Sequence, residues 1–168
     1  DHFFSHLLVQ ELKSLNLNNL SVSYKSYCGG IPAVPNDFKY KFSWSPVGVI
    51  KALNSPAKFT QDFKEKLVAQ PYKVVKNHLI NNESFEAYPN RDSLPYIEEY
   101  LFSPEWKIKE FVRGTLRLNG WTLAWGEIFN MLEKQDANIE EQIKEKSNEL
   151  WKNYRYDKNE EDRVVLWV

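Results

Sequence analysis

Cysteine is almost absent from this 168-residue chain. Cys28 stands alone, so no intrachain disulfide can form and a reducing, cytoplasmic setting is expected. An excess of one charge is absent too. The 22 Lys and Arg nearly balance 23 Asp and Glu, for a net charge of −1. That excludes the concentrated basic surface that nucleic-acid binding needs. No apolar run is long enough to span a bilayer, and the first residues carry no signal-peptide pattern. No G-x-G-x-x-G stands between a strand and a helix, so this segment cannot bind a dinucleotide on its own terms. His2, His6 and His78 are isolated. His2 and His6 have helical spacing but no carboxylate at ligand distance, so no metal site is expected. No Ser/His/Asp arrangement suggests itself.

Large rings are abundant instead. Aromatic residues make up 15% of the chain, with six Trp, inside an ordinary hydrophobic fraction of 42%. Rings of this size dominate core energetics, and the length suffices for one domain with a real core, or one with a small appendage.

Periodicity supplies the elements. Phe3, Phe4, Leu7, Leu8, Leu12 and Leu15 have helical spacing and predict an amphipathic helix over 1–14. Residues 20–27 alternate, with Leu20, Val22 and Tyr24 on one face, and read as a strand that Cys28-Gly29-Gly30 ends. Residues 42–44 suggest a short strand. Ser45-Pro46 then has the form of a capped helix start, followed by a stripe of Val49, Ile50 and Leu53. Residues 63–69 and 72–76 suggest two short strands joined near Pro71. Asp92 or Ser93 opens a short helix to about Leu101, and 107–118 is a strand. Trp121, Trp125, Ile128, Phe129 and Leu132 share a helix face. Asn138 and Glu141 resemble a capping box for a helix burying Ile139, Ile143, Leu150, Trp151 and Tyr154. A last strand covers 163–168. Strands and helices mix without strict alternation, which predicts α+β with a mixed sheet flanked by helices.

Chemistry is concentrated in three arginines. Arg91 follows the Pro89-Asn90 turn. Arg113, Thr115 and Arg117 alternate along one strand and share a face. A guanidinium grips a carboxylate at two points, so a loop arginine facing a strand with Arg, Thr and Arg can make a pocket for a polycarboxylate. Arginines are also ordinary on solvated sheet surfaces, and spacing alone leaves both readings open.

Four blocks narrow the choice: Tyr27-Cys-Gly-Gly-Ile-Pro32, Tyr40-Lys-Phe-Ser-Trp-Ser-Pro-Val-Gly-Val49, Tyr88-Pro-Asn-Arg-Asp-Ser93 and Arg113-Gly-Thr-Leu-Arg117. In this order and spacing the chain resembles the saccharopine dehydrogenases of lysine metabolism, above all the glutamate-forming type. Residues 159–166 are a weaker fifth match. The loop 34–39 departs from the family pattern. The resemblance implies a substrate-binding and dimerisation domain over 1–120 and 160–168, a shortened helical cap over 121–159, and a homodimer. It implies oxidation of saccharopine with NAD or NADP to glutamate and aminoadipic semialdehyde, with the cofactor held mainly by a nucleotide domain outside this segment. The opening Asp-His and the closing apolar strand read as the ends of such an excised segment, expected to be inactive by itself.

Position by position, the resemblance implies substrate contacts at Arg91, Thr115, Leu116, Arg117, Cys28 and Gly29, with Leu116 using its backbone, and a cofactor contact at Ser45. Each has a plainer alternative: a solvated turn for Arg91, an edge strand for 115–117, a small buried hydrophobe for Cys28, simple capping for Ser45. Arg113 is as readily structural. The general acid and base are not legible. Two other functions stay open: a related reductase acting on another amino-dicarboxylate or polyamine imine, and a non-catalytic ligand-binding or dimerisation module.

Overall fold

The computed structural model describes residues 2–17, 19–134 and 136–168. The elements run α1 (His2–Ser14), β1 (Ser21–Pro32), α2 (Pro46–Leu53), β2 (Ala57–Gln61), β3 (Lys64–Val68), β4 (Lys76–Ile80), β5 (Glu83–Pro89), α3 (Pro95–Glu99), β6 (Lys107–Leu118), α4 (Trp121–Ala124), α5 (Gly126–Lys134), α6 (Ile139–Tyr154) and β7 (Asp162–Trp167). The result is the expected α+β domain on a mixed seven-stranded sheet. The long strands β1 and β6 run parallel through its centre, with Cys28 opposite Thr115. The antiparallel β7 pairs with the end of β1. On its other side β6 meets β2 near Phe111 and β5 from Gly114 to Leu118.

Side-chain alternation sorts β6 into two faces. Phe111, Arg113, Thr115 and Arg117 share the face that the helices cover. At one end Val9 of α1 packs with Tyr24, Tyr100, Phe102, Trp106 and Phe111. At the other, α2, α5 and α6 pack around Trp121, Trp125, Phe42 and Tyr88. On the opposite face Leu116 and Leu118 bury against Ile31, Phe85 and Ala87. There the sheet curls: Arg163 of β7 pairs with Glu83 of β5, and the Trp167 ring stands edge-on to His78 of β4 at 4.5 Å.

Several expectations are corrected. The two glycines do not end the first strand. β1 continues through them to Pro32 because β7 supplies a partner there. Residues 71–74 form a 3₁₀ turn rather than a strand, and β4 and β5 form a hairpin that the alternation did not reveal. Residues 42–44 hold only a single bridge, Phe42 to Arg155. Phe3, Phe4, Leu7 and Leu8 are exposed, whereas α1 docks through Ser5 and Val9. Ser5 Oγ and Tyr24 Oη share a 2.5 Å hydrogen bond at that contact. The helix after Trp121 breaks into α4 and α5. Neither Ser45 nor Asn138 makes a side-chain cap. Asn138 Oδ1 instead accepts from Gln142 Nε2 at 2.9 Å. Trp151 is 39% exposed, so the buried stripe of α6 is carried by Ile143 and Leu150.

Candidate functional site

Between the two helical packings the covered face of the sheet is left open as a cavity of about 390 Å³. Cys28, Gly29 and Gly30 of β1, Thr115 and Arg117 of β6, Tyr88 at the end of β5 and Arg91 beyond it line the cavity. Tyr40, Lys41, Trp44, Tyr156 and Asp162 also contribute to its wall. Five of the seven residues singled out by sequence therefore meet in one place.

Arg117 is the centre of the arrangement. It is half-buried, and its Nη2 donates to Tyr88 Oη at 3.1 Å. Its guanidinium lies 5.0 Å from the Tyr40 ring centre, 5.5 Å from Trp121 and 5.8 Å from Tyr88. The Nε is sealed from solvent and has no hydrogen-bond partner among the described residues. Burial pulls the pKa of this group down, and Tyr88, Tyr40 and Cys28 more than offset it, so the net direction is up. Arg117 is a cation at every physiological pH. Among the described residues it forms no ion pair.

The missing counter-ion has a structural cause. Glu86 stands opposite Arg117 across β5 and β6, where a carboxylate would ordinarily neutralise it. Glu86 is instead turned onto α4. It accepts from Gly120 N at 2.9 Å, from Thr122 N at 2.7 Å and from the Thr122 hydroxyl. These contacts fix Trp121, whose ring stacks on Tyr88 at 5.3 Å and 14°, and Tyr88 in turn holds Arg117. One buried carboxylate thus builds the wall of the cavity and leaves the guanidinium's charge unmatched.

Arg91 is exposed and sits at φ 53°, a left-handed conformation that costs a non-glycine residue about 1–2 kcal/mol. Backbone bonds hold it there. Its carbonyl accepts from Lys58 N at 2.9 Å, Asn90 N donates to Arg113 O at 2.9 Å, and Ser93 N donates to Lys58 O at 2.8 Å. The loop is braced from both sides at the cavity rim.

The remaining calls divide. Cys28 is exposed in the cavity wall, which overturns the buried-hydrophobe reading. Leu116 sends its side chain to the opposite face; only its backbone, against Gly29, is near. Ser45 is exposed and does not line the cavity. Arg113 lies outside it as well, with its guanidinium 3.5 Å from the centre of the Tyr96 ring, and it is a packing residue. Sequence reasoning missed Tyr40, Tyr156, Asp162 and Glu86. Tyr88 stood only as the first residue of the Tyr88-to-Ser93 block, with no chemical role. Had the β5 hairpin been recognised, placing Tyr88 opposite Thr115 would have shown it beside the arginines.

Sheet, helices and cleft together define an α+β domain built around an arginine-lined cavity. A family profile described as Saccharopine dehydrogenase C-terminal domain matches residues 1–168, and the chain belongs to that family. It is 40% identical over 127 residues to the saccharopine dehydrogenase [NADP(+), L-glutamate-forming] of Pyricularia oryzae, across 72% of this chain and 27% of that protein. It is 36% identical over 133 residues to the mitochondrial alpha-aminoadipic semialdehyde synthase of Rattus norvegicus, across 74% of this chain and 14% of that one. The solved apo saccharopine dehydrogenase (L-Glu forming) of Saccharomyces cerevisiae superposes with a TM-score of 0.76 at 24% identity. That match covers 99% of this chain and 52% of the yeast one, and it establishes the fold. The chain spans about a quarter of the Pyricularia protein.

Proposed function

We propose that this chain is the substrate-binding and dimerisation part of an NAD(P)-dependent saccharopine dehydrogenase of the glutamate-forming type, acting in lysine metabolism. The observation that carries the reading is Arg117: a cation in a cavity wall, one donor matched by Tyr88 and no ion pair among the described residues. An anionic group of the ligand completes it. Arg91 at the rim holds a second carboxylate, and Thr115 and the open backbone at Gly30 line the bed between them. Residues 1–120 with 160–168 make the bed and 121–159 the cover. Dimerisation through this domain, and a cytoplasmic rather than mitochondrial location, belong to the same proposal; light scattering and cell fractionation test them.

The residues described here do not by themselves fit a dinucleotide. Ser45, the proposed cofactor contact, is an exposed hydroxyl before α2 that makes no side-chain cap, and no loop among the described residues cradles phosphates. NADP, named for the Pyricularia relative, would accept the hydride. The role of this chain is to bind the substrate and orient it.

Titration of saccharopine into the full-length protein by calorimetry tests the reading. Loss of a charge-assisted contact costs about 2–4 kcal/mol, so Arg91→Ala and Arg117→Met each weaken saccharopine about 30- to 1000-fold while NADP affinity is unchanged. Arg117→Met also keeps the parent's melting temperature or raises it, because an apolar side chain replaces a poorly compensated cation. Unchanged saccharopine affinity in both variants would leave the solvated-surface alternative standing.

A further inference from the structure

The cavity carries one carboxylate among its cations. Among the described residues, Asp162, the first residue of β7, is the only acidic side chain lining it. The nearby cations are already matched: Lys41 pairs with Glu160 and Arg163 with Glu83. Asp162 itself forms no ion pair among the described residues. Its reach into the cavity is unobstructed because Gly30 lies between. A methyl group built at Gly30 would meet nothing closer than Asp162 Oδ2, at 3.9 Å.

The strands fix the separation of the two charges. Arg117 and Asp162 stand on β6 and β7, the two neighbours of β1, and strands lie about 4.8 Å apart, with about 3.3 Å between successive residues. Asp162 is paired with Pro32, one step of the pleat beyond Gly30. Their Cα atoms are therefore about 12 Å apart. Tyr88 draws the guanidinium toward β5, away from Asp162. A ligand meeting both must carry a cationic and an anionic group several bonds apart.

We propose that Asp162 is the ammonium anchor of this cavity, and that the cavity selects amino-dicarboxylates over dicarboxylates of the same length. This rests on the reading of Arg117 as a carboxylate site. Asp162 accepts the N–H groups of the ligand's ammonium while Arg117 holds the distal carboxylate. A plain dicarboxylate presents only anionic ends, and Asp162 repels one of them.

L-2-aminoadipate and adipate differ only in the amine, so calorimetry of the full-length protein with each ligand isolates it. The wild type prefers aminoadipate by about tenfold or more, the effect of one partly exposed charge-assisted contact. Asp162→Asn removes that preference without weakening adipate, and Asp162→Glu, which keeps the charge, retains most of it. Arg117→Met weakens both ligands. If Asp162→Asn keeps the preference, or the wild type binds both ligands equally while Arg117→Met loses both, the ammonium anchor is wrong and the carboxylate site stands. If neither ligand binds the wild type, the carboxylate site fails and the anchor falls with it.

Discussion

Gly29 and Gly30 are neighbours in β1 that point to opposite faces, and replacing each with alanine gives opposite results. Gly29 is buried over β6. An alanine Cβ there would lie 2.3 Å from the Leu116 carbonyl oxygen and 3.2 Å from the Leu116 Cβ. Ordinary contact begins near about 3.5 Å, so the central pair of strands must part by roughly 1 Å. Both contacts belong to a paired strand that cannot rotate aside. Overpacking of this kind costs about 1–3 kcal/mol, against a gain of about 0.5–1 kcal/mol for replacing a glycine within a strand. The net loss is about 1–2 kcal/mol, or roughly 2–8 °C in Tm for a domain of this size. Gly30 faces the cavity, where the nearest atom to an alanine Cβ is at 3.9 Å. Gly30→Ala is therefore neutral or stabilising by up to about 1 kcal/mol. Thermal and urea unfolding followed by circular dichroism measure both. Equal destabilisation by the two, or a Gly29→Ala variant as stable as the parent, would refute the close approach of β1 to β6.

Acid stability contains a share from Glu83, whose pKa is lowered chiefly by its hydrogen bonds to Arg163, with burial opposing. Its contribution is complete above the ordinary value of 4.5 and is lost as pH falls through the depressed folded value. Both partners are about two-fifths exposed, so Glu83→Gln removes at most about 1 kcal/mol. Tm measured from pH 7 to pH 3 shows it as a shallower acid limb, and an unchanged limb would exclude the pair as a stabilising contact. At the alkaline end, burial first, and then Asp162, Tyr40 and Glu160, push the Tyr156 phenol up to about 12. Its contribution is complete below 10 and is lost as pH rises toward that value. Tyr156→Phe therefore flattens the fall of Tm between pH 10 and pH 12.

Elements whose alternation or helical period matched their burial were legible in sequence. β6 was found at its observed ends, because Phe111, Arg113, Thr115 and Arg117 alternate with residues of the other face. Trp121, Trp125, Ile128, Phe129 and Leu132 are all buried as their spacing implies. The failures share a physical cause: partners distant in sequence decided the outcome. Gly29 and Gly30 look like a strand end until β7 arrives to pair with them. The β4–β5 hairpin mixes polar and apolar residues because the sheet curls there and buries its residues unevenly. Of the predicted stripe of α1 only Leu12 packs against the core, beside Val9; Ser5 finds Tyr24 at the middle of the contact, and no periodicity scale anticipates a serine there.

The site was legible through a different channel. Resemblance of short blocks brought Arg91, Thr115, Arg117, Cys28 and Gly29 together before any geometry was known, and the geometry unites them. What the blocks could not supply is why a guanidinium in that strand should be free to bind anything. Opposite-charge neighbours across a strand pair attract, and Glu86 is that neighbour for Arg117. The register alone would predict a closed pair and an inert surface. Three donors at the start of α4 outcompete the single guanidinium for that carboxylate, and they can do so only because Gly120, at φ 86°, turns the chain tightly enough to bring its own N–H and those of Thr122 onto the same two oxygens. The free charge in the cavity is thus set by a turn that contains none of its lining residues.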